Sequence, residues 1–260
     1  MRYQQALNQI EASMRAVGRQ QRLVIGQTHF EIFISPSRED HMSFAVPLTA
    51  GSAPAAPAIA AMQAAFAQHG KRPYLEYIAD LHPDLAAALE QAGLVCNSRA
   101  PVMILDTAEL APPPDPRPPG RCQSLTAEDE PLLRAFLMNQ SMAYGGTGGE
   151  EALGWLSHLL SGLANGSVLG AVLLQAGDMA SGAVIQIGEG IGELAGVWSA
   201  PDYRRRGLAF ALCHQLLADY RAIGYPFCWL SAAEGAQRLY EKLGFVSVGS
   251  QLNYGTPGAA

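Results

Sequence analysis

The chain has 260 residues, 49% of them hydrophobic, and a formal net charge of −6. This length is more than one ordinary domain requires and predicts two compact domains. The acidic balance argues against a nucleic-acid-binding surface, which would concentrate Lys and Arg on one face. No apolar run resembles a secretion signal or a membrane span, because the longest, 53–67, is interrupted by Pro54 and Pro57.

The cysteine pattern indicates neither a zinc site nor a redox pair. Cys96, Cys122, Cys213 and Cys228 lie far apart in the sequence and form no C-x-x-C motif. We therefore expect reduced thiols in a cytoplasmic protein, and no bound metal.

A proline-rich segment separates two halves of the chain. Residues 111–120, APPPDPRPPG, contain six prolines, which exclude both a helix and a ladder-paired strand. Such a segment favours an extended, semi-rigid spacer. The predicted domains are therefore 1–110 and 121–260, joined by a linker at 111–120.

The second half shows alternating helix and strand patterns. Helices are predicted after Thr126 and at 150–160, 207–223 and 234–243, and strands at 168–175, 180–187, 191–199, 227–230 and 245–252. Tight turns between the first three strands indicate an antiparallel meander, and strand and helix then alternate. The expected fold class is α/β (α+β), with a mixed, mostly antiparallel sheet flanked by helices.

The first half shows a similar but weaker pattern. Helices are predicted at 3–17, 58–69 and 84–91, and strands at 23–34, 42–48 and 73–78. Its last part, strand, helix and Gly93, parallels the strand, helix and Gly244 of the second half. This echo is consistent with an internal repeat, although strand-helix-glycine arrangements are common.

The turn before the 207–223 helix is typical of an anion-binding site. The residues are Arg204, Arg205, Arg206, Gly207, Leu208 and Ala209. Main-chain N–H groups at a helix start have no intrahelical acceptor, and the helix dipole favours a negative charge there. The small residues Gly207 and Ala209 would leave room for a diphosphate. A solvated arginine cluster is the alternative interpretation.

Together with its context, this turn resembles the GNAT superfamily of acyl-CoA-dependent N-acetyltransferases. The pyrophosphate loop of that family reads Q/R-x-x-G-x-G/A, which Arg204, Gly207 and Ala209 match. The preceding VWSAPDY at 197–203 and LYEKLGF at 239–245 are similar to the strand approach and the late helix of the family. The resemblance covers the second half and implies acetyl-CoA as cosubstrate.

The resemblance implies a strand that splays from its neighbour to admit the pantetheine arm. Residues 191–199 would form that strand. By this likeness, the N–H groups of Val197 and Ser199 hold the pantetheine and the thioester oxygen, while residues 204–209 hold the diphosphate.

Two side chains are candidates for proton transfer. Glu193 stands eleven positions before Arg204 (204 minus 193), the offset of the general-base glutamate in the histone-acetylating branch of the superfamily. An outward-facing strand glutamate is the alternative. Tyr240 is similar to the family's tyrosine that protonates the departing CoA thiolate, and its alternative role is packing against the sheet.

The predicted function is transfer of an acetyl group from acetyl-CoA to a primary amine of a small molecule or peptide. No R-x-x-G-x-A motif precedes the helix at 58–69, so the first half is expected to be a degenerate GNAT-like domain without this site. The alternative is a non-catalytic CoA-sensing or partner-binding module. The sequence indicates no nucleic-acid or membrane partner and does not reveal the oligomeric state.

Overall fold

The computed structural model describes residues 3–20, 22–36, 42–51, 54–115 and 120–257. Its helices are α1 (Tyr3–Arg19), α2 (Ala56–Gln68), α3 (Leu85–Gln91), α4 (Glu130–Ala143), α5 (Leu156–Asn165), α6 (Leu208–Ala222) and α7 (Gln237–Leu243). Its strands are β1 (Leu23–Gly26), β2 (Phe30–Ile34), β3 (Phe44–Pro47), β4 (Tyr74–Ile78), β5 (Val95–Asp106), β6 (Arg121–Ser124), β7 (Val168–Gln175), β8 (Asp178–Gly188), β9 (Ile191–Ser199), β10 (Phe227–Ser231) and β11 (Val246–Gly255).

The chain forms two compact units that are interleaved in sequence. The first comprises Met1–Met103, Ser231–Glu234 and Ser247–Ala260, and the second comprises Ile104–Leu230 and Gly235–Val246. The chain thus returns to the first unit at its C-terminal end. The division at 1–110, 111–120 and 121–260 stays a prediction, and residues 116–119 of the linker lie outside the described residues.

The first unit is built on a mixed sheet. Its strand order is β1-β2-β3-β4-β11-β5, with β11 antiparallel to β4 and β3 parallel to β4. Helix α1 forms because Ala6, Leu7, Ile10, Met14 and Val17 recur at helical spacing, and all five are buried. Helices α2 and α3 contribute Phe66 and Leu89 to an apolar core on one face of the sheet.

The second unit has the strand order β10-β9-β8-β7-β6, with antiparallel pairing from β9 through β6. Helices α4 and α5 pack on this sheet through a core that includes Phe136, Leu159, Val172, Val184 and Trp198. Strands β7 and β9 have the predicted bounds, and α6 lies within one residue of the prediction at each end. The predicted mixed, mostly antiparallel sheet flanked by helices is confirmed.

Three local predictions were incomplete. Residues 23–34 form two strands, because Gln27 N–H bonds to Phe30 O at 2.9 Å and closes a hairpin. Strands β5 and β6 were not predicted. Residues 95–99 of β5 are all exposed, so they lack the apolar alternation by which a strand is identified in a sequence.

Candidate active site

A bulge bends β9 in the middle of the second unit. Ala195 pairs with Val184 and Trp198 with Gly182, so β9 has two residues where β8 has one. One of the two, Gly196, has a φ of +58°, and a Cβ there would lie 2.5 Å from Nε2 of Gln140. The same Gln140 amide donates to Gly196 O at 3.0 Å. Glycine and Gln140 together therefore fix the bulge.

Beyond the bulge, one edge of β9 faces away from β8. Ala200 N–H donates to Ala180 O at 3.0 Å, towards β8. Successive residues of a strand present their main-chain groups to opposite edges, so the N–H of Ser199 points away from β8. This is the edge on which the sequence predicted pantetheine contacts.

Strands β9 and β10 pair over a short stretch only. Their parallel register joins Gly192 with Cys228 and Glu193 with Trp229, and no further register pairs of the described residues connect them. The later part of β9, which contains the bulge and Ser199, continues without pairing to β10. The geometry agrees with a strand that splays from its neighbour.

Two side chains contact carbonyl oxygens of this edge. The Tyr144 hydroxyl donates to Val197 O at 2.9 Å. Arg204 donates from Nε to Ser199 O at 3.2 Å and from Nη2 to Ala143 O at 2.9 Å. The guanidinium of Arg204 thus connects β9 to the end of α4, a contact that the sequence did not predict.

The turn before α6 has the backbone geometry of an anion site. Arg205 and Gly207 both have positive φ, +61° and +76°, and Gly207 is the N-cap of α6. The helical hydrogen bonds begin with Ala211 N–H donating to Gly207 O at 3.1 Å, so the N–H groups of Leu208 and Ala209 precede them. A Cβ at Gly207 would meet no atom within 4 Å, so the space beside this residue is open.

The three arginines of this turn differ in their contacts. Arg205 and Arg206 are exposed beside the helix start, and the Arg206 guanidinium lies 5.5 Å from the ring centroid of Tyr203. Tyr203 in turn donates its hydroxyl to Asp178 at 2.7 Å. Arg205 and Arg206 are therefore placed to add positive charge near an anion, whereas Arg204 is engaged with main-chain carbonyls.

Glu193 lies partly buried in β9, at the last paired position before the splay. Its neighbours across the sheet are Gln186 of β8 and Trp229 of β10. It shares a strand with Val197 and Ser199, so the predicted base and the predicted pantetheine contacts lie on one element. Its assignment as general base stays a prediction.

Tyr240 is only 7% exposed on α7. Its ring contacts Phe245 edge to face at 6.0 Å between centroids. Burial raises the pKa of Tyr240 well above its usual value, and Cys213 and Tyr144 raise it further. The phenol is therefore protonated at neutral pH, as a proton donor must be.

The contact between Tyr144 and β9 was not predicted from the sequence. The side chain of Tyr144 is 62% exposed, but burial of the hydroxyl against β9 raises its pKa to about 12. Its position in the glycine-rich connection after α4 gave one signal, because binding residues often lie on loops. The contact with Val197 spans 53 positions and has no local sequence pattern.

The described residues contain no group of three or more metal-ligating side chains. None of the helices in the described part of the chain is long and apolar enough to span a membrane. All four cysteines are free thiols, and burial raises the pKa of Cys213 to about 12, which makes it unreactive.

Solved structures share this fold over nearly the whole chain. A GCN5-related N-acetyltransferase from Kribbella flavida superposes with a TM-score of 0.79 at 19% identity, covering 97% of this chain and 96% of that one. A GCN5-related N-acetyltransferase from Sphaerobacter thermophilus gives 0.60 at 19% identity, covering 96% and 91%. A putative acetyltransferase of the GNAT family from Novosphingobium aromaticivorans gives 0.58 at 19% identity, covering 95% and 98%. At these identities the likeness establishes the fold.

A family match covers most of the second unit. Residues 128–245 match the model of the Acetyltransferase (GNAT) family, whereas no curated protein sequence matches the chain. The matched range contains the β9 bulge, the Gly207 turn, Glu193 and Tyr240. The match to a GNAT acetyltransferase domain thus covers residues 128–245, and over this range it agrees with the resemblance seen in the sequence.

Proposed function

We propose that this protein transfers the acetyl group of acetyl-CoA directly to a primary amine of a small molecule or peptide. The observation that supports the proposal best is the start of α6. There the space beside Gly207 is open, the N–H groups of Leu208 and Ala209 precede the helical hydrogen bonds, and the preceding strand β9 pairs with β10 over a short stretch only. These two features together fit a ligand that has a diphosphate at one end and an amide-containing arm.

The residues present fit CoA by charge and by shape. The N–H groups of Leu208 and Ala209 would hold a diphosphate oxygen, with positive charge from Arg205 and Arg206. The N–H of Ser199 points towards the side where the arm would lie. Arg204 would act by holding β9 against the end of α4, through its bonds to Ser199 O and Ala143 O.

In the proposed reaction, the amine nitrogen forms a bond to the thioester carbonyl carbon and the carbon–sulfur bond breaks. Main-chain N–H groups of β9 at Val197 and Ser199 stabilise the negative oxygen. Glu193 accepts the proton that the amine loses, directly or through a water. Tyr240, which is protonated at neutral pH, donates its proton to the departing thiolate.

The proposal places the reaction in the cytoplasm, in agreement with four free cysteines. The first unit is included as a degenerate GNAT-like domain, because no arginine-rich turn precedes α2.

The test is CoA thiol release from acetyl-CoA with a panel of primary amines. Because one proton-transfer group contributes about 100- to 10,000-fold to rate, we expect Glu193→Gln and Tyr240→Phe each to lower kcat by at least about 100-fold. Matched controls are Glu189→Gln, an exposed glutamate in the turn before β9, and Tyr225→Phe, another tyrosine of the second unit. Both controls should keep the activity of the unaltered chain.

Two results would contradict the proposal. One is the absence of turnover with every amine while calorimetry shows CoA binding, which would identify a CoA-sensing module. The other is full activity in both Glu193→Gln and Tyr240→Phe, which would remove the assigned roles.

A further inference from the structure

The sheet of the first unit carries a group of polar side chains on the face opposite the core that α2 and α3 cover. In the register of β4 and β11, Glu76 lies opposite Asn253 and Ile78 opposite Gln251. Alternate residues of a strand share a face, so Tyr74 and Glu76 lie on the same side as Gln251 and Asn253. We call Tyr74, Glu76, Gln251 and Asn253 the Glu76 cluster. The other face holds Leu75, Tyr77, Leu252 and Tyr254 in the core.

Hydrogen bonds link three of the four members of the cluster. Gln251 Nε2 donates to Asn253 Oδ1 at 3.0 Å, and the Tyr74 hydroxyl is hydrogen-bonded to the Asn253 side chain. Tyr74, Glu76 and Asn253 are each partly exposed, so a solute can reach them. Gln251 is only 7% exposed.

The carboxylate of Glu76 lacks a donor among the described residues. The positive charge that acts on Glu76 is the guanidinium of Arg22. This guanidinium is engaged elsewhere, because its Nε donates to Met42 O at 3.1 Å and its Nη1 donates to Val17 O at 3.4 Å. It also lies 5.1 Å from the ring centroid of Phe44. No described ion pair within 4 Å includes Glu76. Burial raises the pKa of Glu76 to about 7, against the opposing effect of Arg22. A carboxylate in such a place is costly unless a donor reaches it.

A second acceptor in the cluster is also unsatisfied. Oε1 of Gln251 is buried and has no hydrogen-bond partner among the described residues. An unpaired buried amide oxygen costs about 1 to 3 kcal/mol and calls for an explanation by a water, an ion or a ligand. The Glu76 carboxylate and the Gln251 Oε1 atom are therefore both acceptors that receive no hydrogen bond from the described residues.

We propose that the Glu76 cluster binds a small molecule through its primary ammonium group. An ammonium has three N–H donors and no acceptor, so it complements the Glu76 carboxylate, the Gln251 amide oxygen and the Tyr74 hydroxyl oxygen. A divalent cation fits less well, because Mg²⁺ and Ca²⁺ seek about six or more oxygen ligands and usually more than one carboxylate. This site lies within the first unit and does not rest on the proposed acetyl transfer.

Calorimetry on the full chain tests the proposal at about pH 8, where Glu76 is ionised. The probe is n-butylammonium chloride, and tetramethylammonium chloride is the control cation, because it has the charge but no N–H donor. We expect butylammonium to bind at least about tenfold more tightly than tetramethylammonium. Glu76→Gln, which keeps the shape but not the charge, should weaken butylammonium binding by about tenfold or more. Asp84→Asn, an exposed carboxylate of the same unit, should not change it.

A second pair of variants separates this site from the proposed active site. Gln251→Met removes the amide oxygen at similar volume and should also weaken binding, while Glu193→Gln should leave it intact. Circular dichroism would check that each variant is folded. Absence of butylammonium binding, equal affinity for both cations, or unchanged binding in Glu76→Gln and Gln251→Met would each overturn the proposal.

Discussion

At the scale of single residues, Glu76 combines a charge with a poorly solvated position. Its pKa is about 7 in the folded chain, compared with an ordinary value of 4.5, chiefly because the carboxyl is buried. A carboxyl with a higher pKa in the folded than in the unfolded state binds protons more tightly when folded. Its contribution to stability is therefore present below about pH 4.5 and is lost as the pH rises through about 7.

The variant Glu76→Gln should remove this pH dependence. Between pH 5 and pH 8, we expect the free energy of unfolding of the unaltered chain to fall by about 1 to 3 kcal/mol more than that of Glu76→Gln. Urea unfolding at the two pH values measures the difference. Asp84→Asn should behave like the unaltered chain, and an equal fall in Glu76→Gln would contradict the assignment.

Single residues also show what the sequence could and could not predict about the site. Gly207 and Ala209 were predicted as site residues because a glycine turn before a helix is a local pattern. The bond from the Arg204 guanidinium to Ala143 O, 61 positions away, was not predicted. Side-chain partners at such separations depend on how strands and helices are arranged, which no short motif encodes.

At the scale of elements, both ends of α6 depend on glycines with positive φ. Gly207 at the start has a φ of +76° and Gly224 after the end has +99°, and a Cβ at either position would meet no atom within 4 Å. A substitution at either glycine would therefore strain the backbone without a steric clash. This makes the two positions a matched pair.

We expect Gly207→Ala and Gly224→Ala each to lower the free energy of unfolding by about 1 kcal/mol. Only Gly207→Ala should also raise the KM for acetyl-CoA, because its new methyl group would occupy the space in front of the helix start. Denaturant unfolding and steady-state kinetics measure the two effects. An equal change of KM in both variants would argue against a diphosphate at Gly207.

The elements differ in how far the sequence revealed them. Strands β7 and β9 alternate or run apolar between clear turns and were predicted to the residue. Strand β5 was missed because its first half is exposed, from Val95 to Arg99. Backbone pairing with neighbouring strands holds such a segment extended, and that pairing is set by tertiary structure.

At the scale of the whole chain, the last strand belongs to the first unit. Strand β11 pairs with β4 over Gln251 to Gly255 and contributes Leu252 and Tyr254 to the core of that unit. The sequence predicted β11 as a strand but assigned it to the second half. Nothing in its alternation reveals which edge it joins, because many strands present similar apolar faces.

A chain truncated after residue 245 should therefore lose the structure of its first unit. Without β11, β4 has an unpaired edge and the core lacks Leu252 and Tyr254. We expect hydrogen exchange in β2 and β4 to approach unprotected rates. All three tryptophans, Trp155, Trp198 and Trp229, lie in the second unit, so their fluorescence reports separately on that unit. Retained protection of β4 in the truncated chain would contradict the role of β11.

The same strand has a consequence for synthesis. Between β4 and β5, the sheet of the first unit has a central place that only β11 fills. A ribosome makes the N-terminal residues first, yet that sheet stays incomplete until residue 255 has left the exit tunnel. The N-terminal unit therefore completes its folding last, although its residues are synthesised first. While residues 128–245 are translated, the edge of β4 stays unpaired, and an unpaired edge strand promotes aggregation.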